Sequence, residues 1–143
     1  MFGAGHFSHC DIVLPDGTLL GARSDTIGGK PPGVQIRPDD YEVWSFRVRF
    51  TTVCTDKQAA DFYDFASAQV GKPYDKLAIF AFVINRNWRD EDAWFCDELD
   101  IRCYEVSGLL PIVYTPANKI TPVSAATLVS AVAQTTWQEF GLP

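Results

Sequence analysis

The stretch Phe7-Ser8-His9-Cys10-Asp11-Ile12-Val13-Leu14-Pro15-Asp16-Gly17-Thr18-Leu19-Leu20-Gly21-Ala22 decides how this chain begins to fold. Cys10 to Leu14 is short and apolar, with β-branched Ile12 and Val13, which suits a half-buried strand. Pro15-Asp16-Gly17 interrupts it. Proline presets φ for a turn, aspartate hydrogen-bonds nearby backbone, and glycine accepts positive φ. Thr18 to Ala22 reads as the return strand, so the stretch predicts a β-hairpin.

Downstream, Asp25 to Pro32 carries Gly28, Gly29, Pro31 and Pro32 and predicts a mobile loop. Val34 to Arg37 predicts a short strand. Tyr41 to Thr52 alternates, with Val43, Trp44, Phe46, Val48 and Phe50 against Ser45, Arg47 and Arg49, and predicts a strand with one buried face. The period then changes. Thr55 is a good N-cap for a helix over 56–70, with Ala59, Phe62, Ala66 and Val70 at helical spacing. Gly71 ends that helix and Pro73 prevents its continuation. A second helical stretch starts at Tyr74 or Asp75 and runs through Leu77, Ile79, Phe80 and Val83. Asn85 to Asp92 predicts a polar loop, and Ala93 to Phe95 leads into a third helix over 96–107, ended by Gly108. Leu109 to Tyr114 predicts a short strand, and Pro116 and Asn118 a loop. Thr121 caps a fourth helix with Pro122 at its first position, running to about Ala133. Strands come first and helices after. The class is α+β, an antiparallel sheet of N-terminal strands packed against helices. With no repeat or linker, residues 1–143 form a single domain.

Composition bounds the function. Hydrophobic residues are 47% and charged residues 21%, ordinary for a globular chain, and aromatics at 13% supply large apolar surfaces for a core. The net charge of −6 argues against binding nucleic acid, which needs clustered cations. The longest apolar run, Leu77 to Ile84, is too short to span a bilayer. Met1 to Ser8 has neither a positive n-region nor a long apolar h-region, so no signal peptide is expected. The expected location is cytoplasmic and reducing, with Cys10, Cys54, Cys96 and Cys103 free. No C-x-x-C pair is present. His6 and His9 have H-x-x-H spacing but no neighbouring cysteine to complete a zinc set, so no metal or other cofactor is expected.

Cys10 and Cys54 lie in apolar strand-like segments and read as small buried hydrophobes, and Cys103 reads as core. Cys103 follows Cys96 by about 10 Å of helical rise, too far for an unstrained disulfide within one helix. Cys96 differs. It follows Trp94-Phe95 at a helix start, where backbone N–H groups and the helix dipole favour a thiolate and an oxyanion. A nucleophilic cysteine needs a base. His9, at the start of a strand, has a fixed direction, whereas His6 lies in a glycine-flanked terminal stretch.

Three motifs carry a resemblance. Phe7-Ser8-His9-Cys10-Asp11-Ile12-Val13 followed by Asp16-Gly17 resembles the histidine strand of the NlpC/P60-like superfamily. Trp94-Phe95-Cys96-Asp97-Glu98-Leu99 resembles its cysteine motif, and Gly71-Lys72-Pro73-Tyr74-Asp75 its G-x-P-Y-D element. Histidine before cysteine is the order of the circularly permuted branch, the YiiX-like and lecithin retinol acyltransferase-like proteins. The resemblance runs from about Phe7 to Leu110 and implies a permuted, papain-like fold. It also implies a cysteine hydrolase or acyltransferase (a thiol protease, amidase or acyl-transfer enzyme) on a peptide-like or acyl substrate. Cys96 would be the nucleophile, His9 the base, and Tyr74 an aid to substrate or oxyanion. Tyr74 also reads as a helix-start aromatic packed on the core. Small phage and prophage proteins look similar, which implies virion association and a cell-wall peptide or host protein tag as substrate.

Two positions depart from that pattern. The family sets a polar third residue across from the histidine, and counting across the hairpin puts that position at Gly21. Asp11, two residues from His9 on the same strand face, is the substitute, and it also reads as a solvated or structural carboxylate. Arg23, Asp25, a backbone carbonyl or a water are further choices. The family has Ser after the nucleophile, where this chain has Asp97, and tends to be apolar where it has Asp100. Carboxylates in a first turn suit the helix dipole but oppose ionisation of a thiol. These departures favour an alternative, a catalytically degenerate binding or virion-assembly module that keeps the fold.

Overall fold

The computed structural model describes residues 7–74, 96–111 and 121–141. The expected helical stretch through Leu77 and Val83, the loop 85–92, the Trp94-Phe95 approach and His6 lie outside the described residues. What is described is mixed α+β with antiparallel sheets.

Strand β1 (Ile12–Val13) pairs with β2 (Leu19–Arg23), and β2 with β3 (Gly33–Arg37), all antiparallel. The hairpin turn forms as its residues dictate. Gly17 takes φ 87°, and Asp16 Oδ1 accepts from the Thr18 N–H at 2.9 Å and the Thr18 hydroxyl at 2.6 Å. The Asp25–Pro32 segment is a tight turn rather than an open loop. Gly28 and Gly29 both take positive φ, Ile27 and Lys30 exchange hydrogen bonds, and Arg37 Nε and Nη2 reach the Ile27 and Pro31 carbonyls.

The expected strand over 41–52 is shorter, β4 (Phe46–Thr52). Residues 41–45 turn instead: the Tyr41 N–H bonds the Pro38 carbonyl, Trp44 Nε1 bonds the Asp39 carbonyl, and Val43 is 96% exposed. No residue of β4 is fully buried. Its partner is β5 (Thr135–Gly141), a strand the sequence does not announce, in register from Phe46 opposite Gly141 to Thr52 opposite Thr135.

The helices follow their caps. Helix α1 (Asp56–Ala68) has a capping box of Thr55 and Gln58, and Gly71 at φ 92° follows it. The Gly71 N–H and the Lys72 carbonyl then bond both backbone groups of Val34, which carries the chain past β3. Helix α2 (Cys96–Val106) ends at Gly108, φ 73°. Helix α3 (Pro122–Ser130) has a Thr121–Ser124 capping box and stops at Ala131, earlier than its apolar pattern suggests. Gln134 at φ 58° then turns the chain into β5.

Helix α2 holds the pieces together. Leu99 and Cys103 pack with Ile12, Leu20, Ala22 and Val34 of the sheet and Ala66 of α1. Ile101 packs with Ala125 and Val129 of α3 and against Phe50 of β4. Leu20, Val34, Leu99 and Ile101 are fully buried, each contributing roughly 1.5–3 kcal/mol. Burial on two faces fixes the direction of α2 and therefore the place of its first residue, Cys96. No helix among the described residues is long and apolar enough to cross a membrane.

Candidate active site

A cleft of about 1000 Å³ lies between the hairpin, β4 and α2, and His9, Asp11, Tyr74, Cys96 and Asp100 line it. All four expected site residues, His9, Asp11, Tyr74 and Cys96, border it. Tyr74 is extended rather than helical, half-buried against the sheet core, and still borders the cleft.

His9 precedes β1 rather than lying in it. Its direction comes from a side chain: Nε2 lies 2.8 Å from Asp11 Oδ1, with the two side chains only 11% and 7% exposed. An ionised carboxylate only accepts, so in a neutral ring Nε2 carries the hydrogen and Nδ1 keeps the lone pair. Asp11 is thus a half-buried partner and not a solvated acid. Its second oxygen, Oδ2, accepts from the Tyr41 hydroxyl at 2.8 Å. The register pairing Ile12 with Leu20 sets Gly21 against Asp11 rather than against His9. Arg23 and Asp25, the more distant choices, bond each other at 2.9 Å, and Arg23 also bonds Glu42 at 2.8 Å.

Cys96 is 6% exposed and opens α2. Its thiol donates to Asp97 Oδ1 at 3.1 Å, and no hydrogen bond among the described residues joins it to the His9 ring. Burial, then the charge and hydrogen bond of Asp97, push the thiol well above its ordinary value; the backbone at Cys10 pulls the other way. Asp97 is itself 5% exposed and raised by burial, while its hydrogen bond from the Cys96 thiol opposes that shift. Asp97 therefore holds the nucleophile of the expected pair.

The other thiols divide. Cys103 is fully buried, as expected, whereas Cys54 is exposed because β4 ends at Thr52 and the chain is already turning toward the Thr55 cap. Cys10 is half-exposed as a residue, yet its thiol is raised by burial and by the surrounding carboxylates, Asp100 first. Among the described residues no group of three or more His, Cys, Asp or Glu side chains is placed to hold a metal ion.

Asp100 is the least comfortable group in the cleft. Its Oδ1 is sealed from solvent without a hydrogen-bond partner among the described residues, and burial, then Asp11 and Asp97, drive its pKa well above the usual carboxylate range. Unfolded, it titrates near pH 4 (about 3.9). Above that pH the folded chain holds a proton that the unfolded chain has lost, so stability falls as pH rises through the folded value. Asp97 adds a contribution of the same sign. Asp100→Asn is expected to raise the urea midpoint at pH 8 while changing it little at pH 4, and to flatten the wild-type decline between those values.

Sequence reasoning passed over Tyr41, whose contact with Asp11 spans 30 residues and leaves no trace in local spacing. Comparison with protein-family models, curated proteins and solved structures finds no match to this chain.

Proposed function

We propose that this protein is a cysteine-dependent hydrolase or acyltransferase with a permuted NlpC/P60-like, papain-type arrangement, acting on an amide, ester or thioester carbonyl. The supporting observation is a half-buried imidazole, bonded to Asp11 through Nε2, lining the same cleft as a thiol on the first residue of a helix. His9 Nδ1 takes the thiol proton as Sγ attacks the carbonyl carbon. The resulting oxyanion lies where N–H groups of the first turn of α2 can donate to it. Collapse breaks the bond to the leaving group, which takes the proton from His9. Water, or another acceptor deprotonated by His9, then releases the acyl group from sulfur. The natural substrate under this reading is peptide-like or acyl, a cell-wall peptide or a protein tag if the source is a phage.

One observation favours the second reading, a binding or virion-assembly module: the thiol is buried and bonded to Asp97, with no bond to His9 among the described residues. Site-resolved alkylation separates the two. With iodoacetamide at pH 7.5 and mass spectrometry of the cysteine peptides, Cys96 is expected to react at least about tenfold faster than Cys103. His9→Ala is expected to remove most of that advantage. Equal rates, with no effect of His9→Ala, would leave the binding module as the reading.

A further inference from the structure

His9, Asp11 and Tyr41 form a chain of two hydrogen bonds, and a glycine makes room for its middle member. We propose that Tyr41 is a positioning residue for His9, acting through Asp11, and that residue 21 is glycine in order to admit the Asp11 carboxylate. The proposal rests on the reading of His9 as the base.

Gly21 is not among the glycines with positive φ, so its backbone does not demand the absence of a side chain. Space does. A Cβ built on Gly21 would fall on Asp11 Oδ1 and sit against Asp11 Cγ and the Cys10 carbonyl. Any side chain there evicts the carboxylate from His9. The emptiness that a count across the hairpin reads as a missing third residue is therefore filled from the neighbouring strand.

A carboxylate held by one bond can still rotate about its own axis and misdirect its partner. The Tyr41 hydroxyl on Oδ2 fixes that rotation and so fixes the direction in which Oδ1 meets Nε2. Tyr41 is itself tightly held. The Arg23 and Arg37 guanidinium carbons lie 5.9 and 5.6 Å from its ring centre, and Trp44 meets it edge-on at 5.6 Å and 87°. Gly28 backs it so closely that a Cβ there would lie 2.8 Å from Tyr41 Cβ. The segment from Arg23 to Trp44 thus sets the imidazole that the cleft uses.

The test reads the ring directly. Protein labelled with 15N-histidine is recorded in long-range 1H–15N spectra, His9 being assigned against His9→Ala, and Cys96 alkylation by iodoacetamide is followed on the same samples. The neutral wild-type ring is expected as the Nε2–H form. Tyr41→Phe is expected to give a mixture of tautomers and several-fold slower alkylation. Asp11→Ala is expected to do the same more strongly, and Asp11→Ala/Gly21→Asp, with the carboxylate moved across the hairpin, to restore the Nε2–H form. A folded Tyr41→Phe protein with an unchanged His9 spectrum would overturn the proposal, as would a folded double variant that stays mixed. A ring that responds in every variant while Cys96 stays inert would support the positioning role and remove the enzyme reading instead.

Discussion

Asp97→Asn is expected to accelerate alkylation of Cys96 by at least about tenfold at pH 7.5, one unit of thiol acidity being worth that factor in thiolate. Two local influences oppose each other at the sulfur. The start of α2 favours an anion by about 0.3–1 kcal/mol, rising to about 2 kcal/mol in partly buried settings. A carboxylate in near contact disfavours it by about 4 kcal/mol at an effective dielectric of 20 and a separation of 4 Å. The carboxylate outweighs the helix start and adds to burial, the larger cause, in a thiol held above its ordinary value. Asparagine removes the charge and keeps the shape. The measurement is the second-order rate of iodoacetamide modification at Cys96, read against Cys54 as an exposed reference. A slower rate in the variant would mean that Asp97, and not His9, receives the thiol proton, because the hydrogen bond at 3.1 Å already points that way.

The same comparison bears on the choice between an enzyme and a binding module. If Asp97 suppresses the thiolate, the chain holds its nucleophile in a resting state that His9 can address once the thiol turns from Asp97. The His9–Asp11–Tyr41 chain would then be the part of the site assembled in advance. A module without chemistry has no need of an imidazole held by a carboxylate and a tyrosine hydroxyl. It would be expected to tolerate His9→Ala and Tyr41→Phe without change at Cys96.

Much of the framework was legible because its signals are local. The Pro15-Asp16-Gly17 turn, the Thr55 and Thr121 caps, and Gly71 and Gly108 after their helices each act over a few residues, and each appears where expected. The missed features depend on distant partners. Alternation through Tyr41 and Val43 resembles a strand, but the ladder with β5 begins only at Phe46, and the Pro38 and Asp39 carbonyls draw residues 41–45 into a turn. β5 carries Trp137 and Phe140 among polar residues in a short pattern, and only its pairing with β4, across the chain, makes it a strand. At the site, the i, i+2 spacing of His9 and Asp11 showed a shared face. Whether that carboxylate was solvated depended on Tyr41, 30 residues away, and on the empty space over Gly21.

Arg37→Met is expected to destabilise the protein by about 3 kcal/mol, since hydrogen bonds to a charged donor contribute roughly 1.5–3 kcal/mol each and their carbonyls would be left buried. Arg37 is 1% exposed, and its guanidinium bonds the carbonyls of Gly21 at 3.2 Å, Ile27 at 3.2 Å and Pro31 at 3.3 Å. It thereby ties β2 to the Gly28-Gly29 turn and braces the face of Tyr41. Methionine keeps most of the apolar stem and removes every donor, so the loss reports the hydrogen bonds rather than a cavity. Arg37→Lys is expected to recover only part of it, because a single ammonium does not present the planar fork that reaches three carbonyls. Thermal melts followed by circular dichroism should show a fall of about 10 °C for Arg37→Met. An unchanged melt would mean that the three carbonyls find other donors and that the turn closes without the arginine. Because Arg37 braces Tyr41, the folded variant is also expected to show the mixed His9 tautomer of Tyr41→Phe, whereas Arg49→Met, at an exposed position of β4, is expected to change neither the melt nor the ring.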